Sequence, residues 1–314
     1  MKKNLVIGAI TNYVWEDVEP FFKSYVAAGF ENTDCVMFVH NVSRRTLNKI
    51  RACGVEVLQI PQEFINGKNR NAFVVNNYRW NLYADYLNKY NDKYNLIFTS
   101  DVRDAFFQRD IFKLCDSKNF LGIAIEDGYL TEKVNKYWIT EGYGNEIYNE
   151  VKNERIICTG TVWGTCKEFQ TFSENIAGEF EKFSDEFLKR RIIMDQGIGN
   201  IIIYYQKIFK NEILFTSDNL TGHVMTIGLT KLEDIKLNAN GEIFNGAGEL
   251  AAVVHQYDRK KLIVAMVNAK YCKPAGLFRK ILTKCEKFLK KLFPLQNLPL
   301  KIMNKIKRKF SKEQ

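Results

Sequence analysis

The seven cysteines of this 314-residue chain (Cys35, Cys53, Cys115, Cys158, Cys166, Cys272, Cys285) include no CxxC pair, and there are only three histidines. An odd, dispersed set of thiols argues against a disulfide framework and reads as free cysteines in a reducing compartment. No histidine stands in ligand spacing with a cysteine, which argues against zinc. No uncharged apolar stretch approaches the length of a membrane span. The apolar run after Lys2-Lys3 is too short for a signal-peptide core and has no small-residue cleavage site after it, so a cytoplasmic location is expected. The sequence has no GxGxxG after its first predicted strand, no GxxxxGK[ST] and no GxSxG. The usual dinucleotide and phosphate cradles and the serine-hydrolase elbow are therefore excluded. A Cys–His nucleophile has no suggestive neighbourhood either, and no internal repeat or low-complexity linker precedes the tail.

What is present is an ordinary globular composition, 46% hydrophobic and 26% charged, in a chain long enough for one large α/β domain or two small ones. The net charge of +10 is uneven. From Lys270 onward there are 14 Lys and Arg against 2 acids, whereas the preceding residues carry a net −2. A nucleic-acid-binding domain would carry its basic charge on the folded surface, so no nucleic-acid partner is expected.

The pattern of elements is strand–helix alternation with short connections, predicting a doubly wound, mostly parallel sheet. Strands are expected over 4–10, 34–41, 55–60 and 96–98. Helices are expected over 15–29, from a Ser43 cap to about Ala52, and over 71–90. Further on, 120–125 reads as a strand ending in Glu126-Asp127, and 129–153 as a mixed, aromatic-rich flap. A strand follows over 156–165, then helices over 168–183 and 187–207, with short strands at 212–216 and 251–254.

The stretch Asn95–Phe112 organises the reading. An apolar run, Leu96-Ile97-Phe98, breaks into Ser100-Asp101-Val102-Arg103-Asp104, and ligands in open α/β sheets sit at the carboxyl ends of strands. Two carboxylates there suit a hard divalent cation that shares ligands with a substrate phosphate. Residues three apart on a strand face opposite ways, so both acids reach one ion only if the chain turns directly after Asp101. The bland alternative is a strand-end acid followed by a solvated Arg103–Asp104 pair. His255, at the end of the last strand, is either a ligand or a structural histidine. Asp195-Gln196 is either a site element or a helix cap, and Glu126-Asp127 either a base or a turn. Arg79 is either a phosphate partner or part of an exposed helix face. Thr159-Gly160-Thr161 supplies small residues where a ligand can approach closely. His40 and His223 have no partner pattern.

In this order the pieces resemble the nucleotide-sugar-dependent glycosyltransferases of the GT-A fold, in particular the glycogenin-like and lipopolysaccharide galactosyltransferase-like branch. Asp101-Val102-Arg103-Asp104 is similar to the family's metal-binding DxD motif, although two residues, not one, separate the acids. Tyr78-Arg79-Trp80 with Leu87 is similar to its YRL-containing helix. Thr159-Gly160-Thr161 is similar to its small-residue strand, without the usual asparagine, and Asp195-Gln196 with Asn200 to its DQ element. His255 fits the place of its third metal ligand. The resemblance covers residues 1–265 and implies a Rossmann-like mixed, mostly parallel sheet flanked by helices. It implies Mn²⁺ or Mg²⁺ held by Asp101, Asp104 and His255. The donor, a UDP-sugar foremost, would be held by Ile10, Thr11, Asn12, Tyr13, Arg79, Ser100, Asp101, Val102, Arg103 and Gly160. Asp195 and Gln196 are the implied catalytic residues. The DQ element resembles the retaining branch, with Gln196 or Asp195 beneath the anomeric carbon; inversion would instead need Asp195, Glu126 or Asp127 as the base.

Residues 266–314 form the basic tail. Gly276–Phe293 has apolar residues on one side and Lys or Arg over most of the other, the pattern of an interfacial amphipathic helix. Leu300–Phe310 repeats it in shorter form. An anionic membrane surface would attract such a segment by about 1 kcal/mol per basic residue. The alternatives are a helix packed on the domain and a disordered arm. The expectation is a peripheral enzyme on the inner face of the cell membrane, adding a sugar to a glycan or lipid-linked acceptor such as lipopolysaccharide or capsule. The rivals are a nucleotidyltransferase, which lacks its glycine-rich basic signature here, and a non-enzymatic basic adaptor.

Overall fold

A computed structural model describes residues 2–61, 75–115, 118–190, 192–238 and 240–272. Its centre is a seven-stranded sheet in the order β3-β2-β1-β4-β7-β6-β8. The strands are β1 (Lys3–Thr11), β2 (Thr33–His40), β3 (Glu56–Gln59), β4 (Tyr94–Ser100), β6 (Leu121–Tyr129), β7 (Arg155–Thr165) and β8 (Leu214–Ser217). All neighbours are parallel except that β7 runs antiparallel to both β4 and β6. The expected mixed, mostly parallel sheet is borne out.

Alternation along the strands builds two cores. Leu5 and Ile7 of β1 and Ile97 of β4 face one of them, with α3 (Val75–Tyr90) and α5 (Cys166–Glu181) over it. There Trp80 meets Phe172 edge-on at 5.4 Å between ring centroids. Val6, Ile10 and Phe98 face the other, with α1 (Trp15–Ala28) over it, where Phe21 packs edge-on to Phe107 at 5.0 Å. Each fully buried aromatic adds about 1.5–3 kcal/mol, so both sheet faces are strongly held. Helix α2 (Arg44–Arg51) starts where expected: the Ser43 hydroxyl accepts from the Thr46 amide at 3.3 Å.

A second, three-stranded sheet, β5-β12-β9, stands at the carboxyl end of β4. It joins β5 (Ala105–Phe107), β9 (Val224–Thr226) and β12 (Val253–His255), with His255 paired to Ala105 and Thr226. A short hairpin, β10 (Lys236–Leu237) with β11 (Ile243–Phe244), lies between β9 and β12 in sequence.

Two expectations are corrected. The stretch 129–153 is largely helix α4 (Lys133–Val151), kinked at Gly144 with φ 83°. Few of its residues are buried, so it lacks the apolar stripe that would have marked it as a helix. The stretch 187–207 is not one helix. It divides into α6 (Asp185–Lys189), α7 (Asp195–Asn200) and a π-turn (Ile201–Tyr205), with residues 192–194 in no helix, so Asp195-Gln196 opens a helix. The divide is fixed by Asn77 of α3, whose amide donates to the Ile192 carbonyl at 2.9 Å and accepts from the Met194 amide at 2.8 Å. Strand β6 also runs past Glu126-Asp127 to Tyr129.

The last helix among the described residues, α8 (Lys261–Tyr271), buries Ile263 and Val267 and spans position 266, where the tail was expected to begin. The amphipathic segments 276–293 and 300–310 lie outside the described residues. Among the described residues no helix is long and apolar enough to cross a membrane, and the six described cysteines are free.

Candidate metal and donor site

The chain leaves β4 at Ser100 and turns at once, over Val102–Asp104, into β5. Val102 is buried in the α1-side core, which anchors the turn and sends the acids on either side of it toward one point. The Asp101 amide donates to the Gly160 carbonyl at 2.8 Å. At that point β7 departs from β6: the register passes from Val162 to Cys158, leaving Thr159, Gly160 and Thr161 as a bulge unpaired with β6, although Thr161 still pairs with Ser100 of β4. Bulges of this kind re-aim backbone and side chains beside sites.

His255 closes the cluster. Its Nε2 lies 3.6 Å from Asp101 Oδ2 and 3.6 Å from Asp104 Oδ1, and the three ligand atoms lie within 4.8 Å of one another. His255 is 1% exposed, and its Nε2 is a buried polar atom without a hydrogen-bond partner. Such an orphan is rare and asks for a ligand. On the other side of the ring, Nδ1 faces the Thr226 hydroxyl at 3.5 Å and the Cys158 thiol at 3.6 Å, the outer-shell arrangement that orients a ligating imidazole. Gly160 completes the cradle: a Cβ there would stand 2.3 Å from His255 Cε1 and 3.0 Å from Asp101 Oδ2. Two carboxylates and one imidazole suit Mn²⁺ or Mg²⁺, the imidazole favouring the transition ion. The pair is not a solvated one: Asp104 is buried against His255, and Arg103 lies 3.9 Å from its Oδ2 while binding Asp258 more closely at 2.9 Å.

Arg79 is not on an exposed helix face; it is 5% exposed. Its guanidinium binds Asp101 Oδ1 through Nη1. Nη2 donates to Asp195 Oδ2 at 2.7 Å and to the Thr159 carbonyl at 3.1 Å. The Trp80 indole and the Thr159 hydroxyl also reach Asp195 Oδ2, each at 3.4 Å. Burial alone would raise the Asp101 carboxyl, but Arg79 and His255 hold it well below the usual range. Burial opposes the charge on Arg79 as well, yet Asp101 and Asp195 strengthen its hold on the proton. For Asp195, burial prevails and, with the like charge of Asp101, raises the carboxyl despite Arg79. Burial disfavours a charged His255, but the carboxylates of Asp104 and Asp101 outweigh it and lift the imidazole well above 6.5. A cation seated here would therefore take the place of a proton. Burial pushes the Cys158 thiol up to about 11, so it is an unreactive neutral group.

The other expected residues are placed as follows. The Ile10 side chain is in the core. Thr11 ends β1, and Asn12 is left-handed at φ 62°, its amide donating to the His40 carbonyl. Tyr13 stands by the acids: burial raises its hydroxyl to about 12, against Arg103 and with help from Asp101 and Asp104. Ser100 is buried at the strand end. Gln196 is half-buried and donates to Asn135 of α4 at 3.0 Å. Asn200 bonds both backbone groups of Ile157, docking α7 on β7. Glu126 is buried and accepts from Gln256 at 3.2 Å, while Asp127 accepts from Thr230 and Asn219. Sequence reasoning missed Asn77, Asn135, Thr226, Gln256 and Asp258, none of which lies in a local motif.

No protein-family model and no curated protein matches the chain. Among solved structures, it is similar to an active-site mutant of LgtC, with a TM-score of 0.49 and 14% identity over 89% of this chain and 94% of that one. It is also similar to the galactosyltransferase LgtC in complex with donor and acceptor sugar analogues, with a TM-score of 0.47 and 13% identity over 96% of this chain and 99% of that one.

Proposed function

We propose that the chain is a metal-dependent GT-A glycosyltransferase that moves a sugar from a nucleoside diphosphate, foremost a UDP-sugar, to a glycan or lipid-linked acceptor with retention of configuration. The observation that carries this reading is the Asp101–Asp104–His255 cluster, its Asp104 and His255 buried and its Asp101 half-buried, with the unpartnered Nε2 at a strand end. Asp101, Asp104 and His255 would hold Mn²⁺ or Mg²⁺. Bound there, the cation supplies Lewis-acid stabilisation of the charge that grows on the departing diphosphate. Asp101 offers Oδ2, since Arg79 occupies Oδ1. The Tyr13 hydroxyl keeps its proton near neutral pH and can donate to a donor oxygen. Gln196, held by Asn135, is the polar group proposed beneath the anomeric carbon, with Asp195 behind it in the Arg79 network. Contact of the 266–314 tail with an anionic membrane on the cytoplasmic side belongs to the same proposal.

The test is thermal unfolding with a panel of nucleoside diphosphates and nucleotide sugars, with and without Mn²⁺, because a ligand of the native state raises Tm by mass action. A shift that needs both Mn²⁺ and one nucleotide, and is lost in Asp104→Ala, supports the reading and names the donor class. A folded protein that shifts with none of them favours a non-enzymatic adaptor. Co-sedimentation with phosphatidylserine vesicles tests the tail.

A further inference from the structure

We infer that Asp195 is a positioning residue for the cation site: it anchors Arg79 so that the guanidinium takes only one oxygen of Asp101 and leaves the other to the ion. The inference rests on the cation-binding reading above. Arg79 sits between two carboxylates that belong to different elements, Asp101 at the end of β4 and Asp195 at the start of α7. The fork is divided between them: Nη1 goes to Asp101 Oδ1, and Nη2 goes to Asp195 Oδ2 and the Thr159 carbonyl. Asp101 Oδ2 is thereby left facing His255 Nε2 at 3.6 Å.

A guanidinium beside a single carboxylate prefers to bind both of its oxygens through two parallel N–H bonds. What prevents that here is the pull on Nη2. Trp80 reinforces it twice, with its ring 5.2 Å beneath the Arg79 guanidinium and its indole N–H toward Asp195. Asn77 holds the segment leading into Asp195 from the same helix that carries Arg79. The arrangement is thus built from α3 as a unit, and Asp195 acts on the ion through Arg79 and Asp101.

The test is calorimetric titration of the full-length chain with Mn²⁺ alone, comparing wild type, Asp195→Asn and the double variant Arg79→Lys/Asp195→Asn, which keeps the positive charge beside the ion. Asparagine preserves shape but removes the charge that holds Nη2 away from Asp101, so a loss of about 10-fold or more in Mn²⁺ affinity is expected, the size typical of outer-shell changes. In the double variant the lysine ammonium keeps the charge but has no planar fork to close on both oxygens of Asp101, so affinity should return to the wild-type level. A merely structural role would not produce that recovery, and a direct Coulombic effect of Asp195 on the ion would leave the double variant as weak as the single. Unchanged affinity in a folded Asp195→Asn, or no recovery in the double variant, would overturn the inference. If Asp195→Asn does not fold, the double variant decides: affinity at least equal to wild type supports the inference, and a 10-fold loss overturns it. Wild-type protein that binds no Mn²⁺ would overturn the cation-binding reading itself, and this inference with it.

Discussion

Asp104 Oδ1 lies 3.6 Å from His255 Nε2, and the two are brought together by backbone, through the antiparallel pairing of Ala105 with His255. Because the ladder fixes the distance, neither residue needs the ion to reach its place. Replacing either side chain should therefore spare the fold and remove the site. His255→Gln and Asp104→Asn are each expected to lower Mn²⁺ affinity by at least about 10-fold, ligands mattering no less than the outer shell. Glycosyl transfer should be lost with them, as it should when the wild type is stripped by a chelator. Calorimetry and a sugar-transfer assay read the effect, and an Asp104→Asn protein that binds Mn²⁺ as tightly as wild type would sink the ligand assignment.

Gly160 tests the cradle itself. Its missing Cβ would stand 2.9 Å from His255 Nε2, inside the volume the ion needs, and the opposing groups are a buried ring and a carboxylate already held by Arg79. Gly160→Ala should weaken Mn²⁺ by about 10-fold while the far-ultraviolet circular dichroism is unchanged. Unaltered affinity would show that the ring moves aside freely.

How far the site was legible in the sequence depends on which interactions are local. The strand ending at Ser100, the two acids three apart that need a turn to reach one ion, and the histidine ending β12 each carry a local signature, and they converge in the structure. What stayed hidden is set by packing over long separations. The division of Arg79 between Asp101 and Asp195 depends on α3, β4 and α7 meeting, and a mid-helix arginine gives no hint of it. Helix α4 lacked an apolar stripe because so little of it is buried. The break before Asp195 is imposed by Asn77, which reads in sequence as one more polar residue of a helix.

Acid sensitivity has a distinct source away from the site. Glu179 is buried, which would raise its carboxyl, but Lys182, Gln206 and the Tyr143 hydroxyl, all donating to it, hold it below 4.5. A depressed folded-state value stabilises the protein above the unfolded value and loses that stabilisation as pH falls through the folded one. Glu179→Gln should therefore lower Tm at pH 7, and its deficit against wild type should shrink as pH falls below about 4.5. A deficit that stays constant from pH 7 to pH 3 would assign the effect to packing alone.

Asn77 links stability to the site. Both halves of its amide are bonded to the backbone of 192–194, and its side chain is 3% exposed. Asn77→Ala strands a carbonyl and an amide that have no other partner on α3, at a cost of about 1–3 kcal/mol, measurable by urea unfolding. Because those groups lead directly into Asp195 and Gln196, the same variant should also lose turnover in the transfer assay at temperatures where it remains fully folded. Loss of stability with turnover intact would mean that α7 is positioned by its own contacts, chiefly Asn200 on the backbone of Ile157, and that the Asn77 clamp serves the fold only.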